Sequence, residues 1–469
     1  MSRPGVGSVR VVTTTPERSA RLLDPDHRML LVGIVCLVTV VATESMAVTT
    51  VMPIVEADLG DLWLYGWVFS AFYLGTLIGV VTGGRAVDRV PPVGPMMAGV
   101  AIFLVGLFVG GLASGMVVLV AGRFLQGLGA GVVPAVAYVC VGRGFPAELR
   151  PRVFAVMSTA WVLPSLVSPL LASEVAERFG WRWVFLGLIP VTLVVAAIGL
   201  PSVRTVDTPA PDADRPTTPY GVVLLLAAGA ALVLGGLGAE LLVLGVPVAA
   251  AGVAIVLPAF RRLTPPGTLQ ARPALPAAVL VRGVLTFAFF SADAFVSLAL
   301  TSVRGTSTRT AGFVLAGASL TWTTGAWVQA RLSERWGPTR LVRAGGACLV
   351  VGATAMACCL SSAVPVWCWV LAGCASGLGM GLAYAQLSVV TLAEAEPGRE
   401  GAATSALQMS DILGIALGTG LAGVIVSLGD RSGRAAWLSL AIVFAVAATA
   451  GAMVSLLAPR LTRRTAPTG

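Results

Sequence analysis

The sequence predicts an all-α integral membrane protein with fourteen spans: two six-helix bundles, two extra transmembrane helices between them, and both termini in the cytoplasm. Three observations carry this. The chain of 469 residues is 57% hydrophobic and 11% charged, with a mean hydropathy of +0.90, and no single water-soluble core can hide that much apolar surface. It divides into fourteen apolar runs of about 20 residues, the length that crosses a bilayer. A charged turn at 84–92, Gly-Arg-Ala-Val-Asp-Arg-Val-Pro-Pro, returns at 330–338 as Ala-Arg-Leu-Ser-Glu-Arg-Trp-Gly-Pro. Arg85 aligns with Arg331, Asp88 with Glu334 and Arg89 with Arg335, so the chain reads as duplicated at an offset of 246 residues (Gly84 against Ala330).

The expected spans are 30–52, 64–82, 94–112, 116–139, 153–173 and 182–200 in the first half. Next come 220–239 and 241–259, and then 280–301, 311–330, 341–361, 365–390, 402–427 and 435–457. Residues 1–29 form a cytoplasmic tail. The first run, at 30–52, is longer than the apolar core of a cleaved signal, so it is kept as a transmembrane helix. After the first bundle (30–200), the stretch 201–219 repeats Pro and Asp (Thr-Pro-Ala-Pro-Asp-Ala-Asp-Arg-Pro-Thr-Thr-Pro), the composition of an aqueous linker. The offset of 246 exceeds a six-helix repeat by about the length of 220–262, so that pair is assigned as an insertion. A second cytoplasmic linker at 263–279, the second bundle at 280–459 and a cytoplasmic tail at 460–469 complete the chain.

The net charge of +9 invites a nucleic-acid reading, but all 31 basic residues are arginines placed in short segments between apolar runs. With the N-terminus inside, and arginines at span ends counted with the adjoining loop, 24 fall on the inner side, six on the outer side (Arg178, Arg182, Arg304, Arg309, Arg431, Arg434) and one, Arg123, deep within a span. That bias is the one cytoplasmic loops show. It also supports the even number of spans, since losing one helix would flip every later loop. The chain has no lysine and no Gly-x-x-x-x-Gly-Lys-Ser/Thr run, which excludes a nucleotide-phosphate loop. Its single histidine, His27, lies in the tail, so neither Ser/His/Asp catalysis nor a histidine metal site is indicated, and no cofactor is expected. The seven cysteines (Cys36, Cys140, Cys348, Cys358, Cys359, Cys368, Cys374) sit in or at the ends of apolar runs and read as small hydrophobes.

The Gly84-x-x-x-Asp88-Arg89 turn after the second span resembles the signature loop of the major facilitator superfamily of secondary transporters. The six plus two plus six arrangement is similar to that superfamily's fourteen-span drug:proton antiporter branch. Further fragments agree. The first span's Glu44-Ser-Met-Ala-Val-Thr-Thr-Val-Met-Pro53 looks like the branch's Asp-x-Thr…Pro stretch, with Glu for Asp and Met46 for Thr. The fourth span's Arg123-Phe-Leu-Gln126-Gly resembles the family's Arg-x-x-Gln-Gly, whose arginine is implicated in proton coupling. In the fifth span, Pro164-Ser-Leu-Val-Ser168-Pro169-Leu-Leu-Ala172-Ser173 stands where exporters show Gly-Pro-x-x-Gly-Gly. Pro169 matches, while Ser168, Ala172 and Ser173 keep small size without glycine; small residues let helices approach and Pro lets a helix bend. Trp181-Arg-Trp183-Val-Phe185 with Pro190 resembles the start of the family's sixth span, its aromatics read as interface anchors. The resemblance implies that Gly84, Arg85, Asp88 and Arg89, echoed by Glu334 and Arg335, form a cytoplasmic gate bridging helices and halves, with Asp88 also placed to cap a helix N-terminus.

An ionisable group near the bilayer centre is costly and faces a cavity or a partner. Arg123 lies roughly 10 Å and Glu44 roughly 12 Å from the outer ends of their helices, so the two can meet at one depth; Arg123 as a purely structural group is the alternative. The offset carries Glu44 to Phe290, three residues from Asp293, which makes Asp293 the expected counterpart of Glu44. Thr286, Asp293, Ser297 and Thr301 share a helical face, as do Thr404, Gln408 and Asp411 ahead of Gly414 and Gly418. Asp411 stands where the family often has a polar or basic residue, so it either serves this chain's substrate or is paired across helices.

The expected function is proton-coupled export of lipophilic, cationic compounds by alternating access, from a monomer in the cell's inner (plasma) membrane. Glu44, Arg123 and Asp293 would couple the proton, and Glu44, Asp293, Ser297, Gln408 and Asp411 would line the substrate cavity. A transporter of one specific metabolite and a receptor or scaffold that moves nothing are the alternatives. A scaffold gives no reason for so many buried charges.

Overall fold

The computed structural model describes residues 25–146, 149–206, 219–396 and 399–462, and all the regular structure within them is helical. The first half comprises α1 (Pro25–Leu59), α2 (Tyr65–Val87), α3 (Val93–Gly111), α4 (Met116–Gly144), α5 (Arg150–Phe179), and the consecutive α6 (Arg182–Leu186) and α7 (Leu188–Val203). Next come α8 (Tyr220–Leu237) and α9 (Leu242–Leu263), packed on each other as a hairpin. The second half is α10 (Leu275–Leu298, extended by a π-turn over Ala299–Val303), α11 (Thr308–Cys359), α12 (Cys368–Ala393), α13 (Glu400–Arg431) and α14 (Ala436–Leu457). Among the described residues, twelve helices are long and apolar enough to cross a membrane. Large apolar side chains are left exposed along α7 and α9, as on Leu193, Val194, Val243 and Leu244, where lipid rather than water is the compatible solvent.

Several boundaries differ from the sequence reading, and the tails 1–24 and 463–469 and linker residues 207–218 lie outside the described residues. Helix α7 runs through Pro201 to Val203. The second linker is shorter than 263–279: it holds a short helix at Thr268–Gln270, and α10 already begins at Leu275 with a proline in its first turn. The repeated charged turn is not a second loop. Helix α11 is continuous through 330–338 except at Gly337, whose φ of 68° and ψ of 170° break it. That left-handed φ suits glycine, and Pro338 after it cannot donate to the ladder.

The duplication extends to the packing. The same offset of 246 relates Gly79 to Gly325, Gly127 to Gly373 and Gly131 to Gly377. Gly79 and Gly131 lie where α2 and α4 pack backbone against backbone, and Gly325 and Gly377 where α11 and α12 do. A side chain at these glycines would meet the neighbouring backbone, which is why small residues recur at membrane helix crossings. The halves meet at their outer ends. Gly66 of α2 lies against Gly423 of α13, Ser70 donates to the Ala416 carbonyl at 2.8 Å, and the rings of Tyr65 and Phe295 are 5.1 Å apart. Nearby, Glu174 of α5 pairs with Arg309 of α11.

Candidate transport site

Helices α1 and α4 bring Glu44 and Arg123 together in an ion pair, both side chains at least 98% shielded from solvent. The guanidinium also donates to Gln126 and, through Nε, to the Val68 carbonyl at 3.3 Å, and it stacks over the Phe72 ring at 4.3 Å. Gln126 in turn donates to the Gly106 carbonyl at 3.1 Å. Glu44 Oε1 therefore has a partner, while its buried Oε2 has none. The fifth-span motif packs beside this pair: Ser168 Oγ donates to the Thr43 carbonyl at 2.6 Å, Ser173 bonds back to Leu170, and Pro169 faces α11 at Gly312. Pro164 and Pro169 lie inside α5, and Ala172 is buried.

Asp293 sits on α10 and lines a small pocket with Phe289, Val296, Leu315, Met356, Gly373 and Ser376. Among the described residues nothing hydrogen-bonds or ion-pairs its carboxylate. On the same face, Ser297 is fully buried with its hydroxyl unpartnered. Asp411 is placed differently. Arg282 Nε donates to its Oδ1 at 2.9 Å and the Tyr384 hydroxyl to its Oδ2 at 3.0 Å. Arg282 also lies over the Tyr384 ring, 3.0 Å from the centroid. Of the two roles left open for Asp411, pairing across helices is the one this geometry displays. Gln408, one turn away, is half-buried.

The residues that sequence reasoning missed are mostly aromatic. Tyr73 of α2 packs on Phe290 at 6.1 Å, Phe290 on Phe289 at 5.1 Å, Phe289 on Trp322 at 5.4 Å and Trp322 on Tyr384 at 5.5 Å. This chain of rings crosses from the first half to the second, passing Asp293 and ending on Asp411. Tyr73 thus stands between the two halves, its ring also edge-on to Phe72, the ring beneath Arg123. Arg282 was missed because it was counted with the inner-side arginines. The Leu275-Pro276 helix start would have revealed it, since it puts Arg282 two turns inside α10, where it is 96% buried.

At the inner end, the gate residues depart from expectation. Asp88 neither caps a helix N-terminus nor bridges the halves: it closes α2 and pairs with Arg143 of α4 at 3.1 Å, within the first half. Among the described residues, Arg85, Arg89, Glu334 and Arg335 form no ion pair, and Gly84 has open space around it. The Trp181-Arg182-Trp183 segment divides its roles. Trp183 is exposed as an interface anchor would be, but Trp181 is buried and donates to Asp58, which Arg182 also grips at 2.8 Å.

The sequence model of the Major Facilitator Superfamily matches residues 34–419 and 284–469. A probable multidrug-efflux transporter of Mycobacterium tuberculosis is 27% identical over 443 residues, which cover 91% of this chain and 93% of that protein. Among solved structures, a bacterial homolog of the human lysosomal transporter Spinster, inward-facing and unoccupied, superposes with a TM-score of 0.67 at 15% identity over 94% of this chain and 100% of that one. An auto-inhibited peptide transporter of the POT family gives a TM-score of 0.67 at 18% identity, covering 93% and 98%. At these identities the structures share the fold with this chain, and substrate has to be argued from the site.

Proposed function

Because the chain belongs to the major facilitator superfamily and is a multi-pass membrane transporter rather than an enzyme, we propose that it exports lipophilic cations in exchange for protons, as a monomer, by alternating access. The two six-helix halves, 30–200 and 280–459, would rock about the site while α8 and α9 flank them. Counting α5 and the two arms of α11 on either side of Gly337 as separate crossings supports fourteen spans, the plan of the drug:proton branch. Export agrees with the multidrug-efflux relative that spans nearly the whole chain.

The observation that carries the substrate class is Asp293 without a partner beside a chain of aromatic rings. A lone carboxylate between apolar walls takes up either a proton or a cation, and the faces of Phe290, Trp322 and Tyr384 suit a lipophilic cation. The two ligands exclude each other at one oxygen pair, which is the logic of exchange. On the other side of Tyr73, Glu44 is held by Arg123 through one oxygen only. Movement of that arginine during the transition would release Oε1 as well and strip the carboxylate of its counter-charge, so that it takes up a proton, biasing the equilibrium between two states. Proton release should be measured on adding a lipophilic cation such as tetraphenylphosphonium to purified protein. Wild type is expected to release protons, and Glu44→Gln and Asp293→Asn to release fewer or none; undiminished release in both variants would end the coupling assignment.

A further inference from the structure

The inner end of the molecule holds a pocket beside the gate turn, away from the membrane carboxylates. It is open, about 330 Å³ in volume, and lined by Thr82, Arg85, Ala86 and Arg89 with Tyr220 opposite. The four residues from the first half follow i, i+3, i+4, i+7 spacing, so they fall on one face of the end of α2 and its turn. Tyr220 is the first residue of α8, and Thr82 Oγ1 reaches its hydroxyl at 3.5 Å. Among the described residues, no acid answers the two arginines. Asp88, between them in sequence, is engaged by Arg143 on α4, and the first turn of α8 contains no acidic residue, so within that turn nothing offsets the positive end of the helix.

Two guanidinium forks, two hydroxyls and a helix N-terminus, with no carboxylate in the lining, form the donor set that recognises phosphate. The arginine bias puts this end at the cytoplasmic face, where anionic headgroups concentrate. We propose that the pocket binds a phosphate-bearing anion, supplied by a lipid headgroup or by a free phosphate compound, and that the bound phosphate ties the gate turn to the inserted helix α8.

The test uses the full-length protein in nanodiscs of phosphatidylcholine doped with phosphatidylglycerol, with retained lipid counted by native mass spectrometry after extraction. Separately, glycerol 3-phosphate is titrated against the unfolding temperature in detergent. Arg85→Gln and Arg89→Gln should each lower phosphatidylglycerol retention about tenfold, the loss of one charge-assisted contact. Arg85→Lys should fall in between, and Tyr220→Phe should cost about threefold or less. Retention of the lipid with this dependence identifies the headgroup as the source. Stabilisation by glycerol 3-phosphate with the same dependence, and no selective lipid retention, supports the pocket with a soluble ligand instead. The proposal is overturned if neither probe binds wild type, or if binding in folded Arg85→Gln and Arg89→Gln stays within about twofold of wild type.

Discussion

In the first half the acid stands on the first helix and the base on the fourth; in the second half the base, Arg282, stands on the first helix and the acid, Asp411, on the fifth as the duplication counts them. The two pairs are also finished differently. Arg123 has partners for its charge in Glu44, Gln126, the Val68 carbonyl and the Phe72 ring, but Glu44 keeps one buried oxygen without a donor. Asp411 has both oxygens satisfied, by Arg282 and Tyr384. Among the described residues Asp293 has no partner, so Asp411, Glu44 and Asp293 form a series of two, one and no occupied oxygens. A saturated acid is a structural tie and an unsaturated one is free to exchange, because changing the ligand of a buried charge is costly only in proportion to the bonds given up.

The largest effect on stability is expected at the most enclosed pair. Arg123→Gln leaves Glu44 buried without its counter-charge and should cost about 3–5 kcal/mol, read as a lowered unfolding midpoint in detergent. Adding Glu44→Gln should recover more than half of that loss, since the orphaned charge is removed with its partner. A double variant as unstable as Arg123→Gln alone would show that Arg123 acts through Gln126 and Val68 and not through the acid.

The second pair should be milder to break. Arg282→Gln is expected to cost about 1.5–3 kcal/mol, the range for a hydrogen bond to a charged group, because Asp411 keeps the Tyr384 hydroxyl and its side chain is 12% exposed. If Arg282→Gln proves as damaging as Arg123→Gln, the contrast between the pairs disappears. The same variant frees Asp411 to meet substrate, so export should shift toward dications over monocations; an equal change for both charge classes would leave Asp411 a structural residue.

How much of this was readable in the sequence depends on the kind of evidence. Hydropathy located the helices because a membrane helix needs a continuous apolar run whatever it packs against, and the arginine bias gives only the expected direction of the chain through the bilayer. Depth arithmetic paired Glu44 with Arg123, since two groups at one height on neighbouring helices have few other partners. Rotation about the helix axis is not contained in depth. Hence Asp293 was expected to mirror Glu44 and instead faces an apolar pocket, and Asp88 was expected to bridge the halves and instead turns to Arg143. The aromatic chain escaped because Tyr73, Phe290, Trp322 and Tyr384 come from four helices, and single aromatics in apolar runs carry no periodic signal.

A smaller effect is expected from Tyr384→Phe, which removes one donor from Asp411 but leaves the ring under Arg282. Hydrogen bonds between membrane helices average about 0.6 kcal/mol, so the unfolding midpoint should move little. Transport should respond more, because the ring then sits beside a carboxylate with a vacant oxygen. A loss of stability as large as that of Arg282→Gln would mean the hydroxyl, not the arginine, holds the pair together.

The smallest stability change, within about 0.5 kcal/mol, is expected from Asp293→Asn, and it separates function from structure most cleanly. No hydrogen bond or ion pair is lost, and the amide is nearly the same size as the carboxylate, so the pocket walls of Phe289, Leu315 and Met356 keep their contacts. Yet the variant can hold neither proton nor cation by charge, so gradient-driven export of a lipophilic cation should fall by at least about tenfold, the equivalent of 1.4 kcal/mol in the binding or coupling step. Asp293→Glu should restore part of it, as the charge returns on a longer stem. Measuring unfolding midpoint and efflux on the same preparations decides the matter: a variant that loses both together would place Asp293 with Asp411 among the structural acids, and one that loses neither would leave exchange to Glu44 alone.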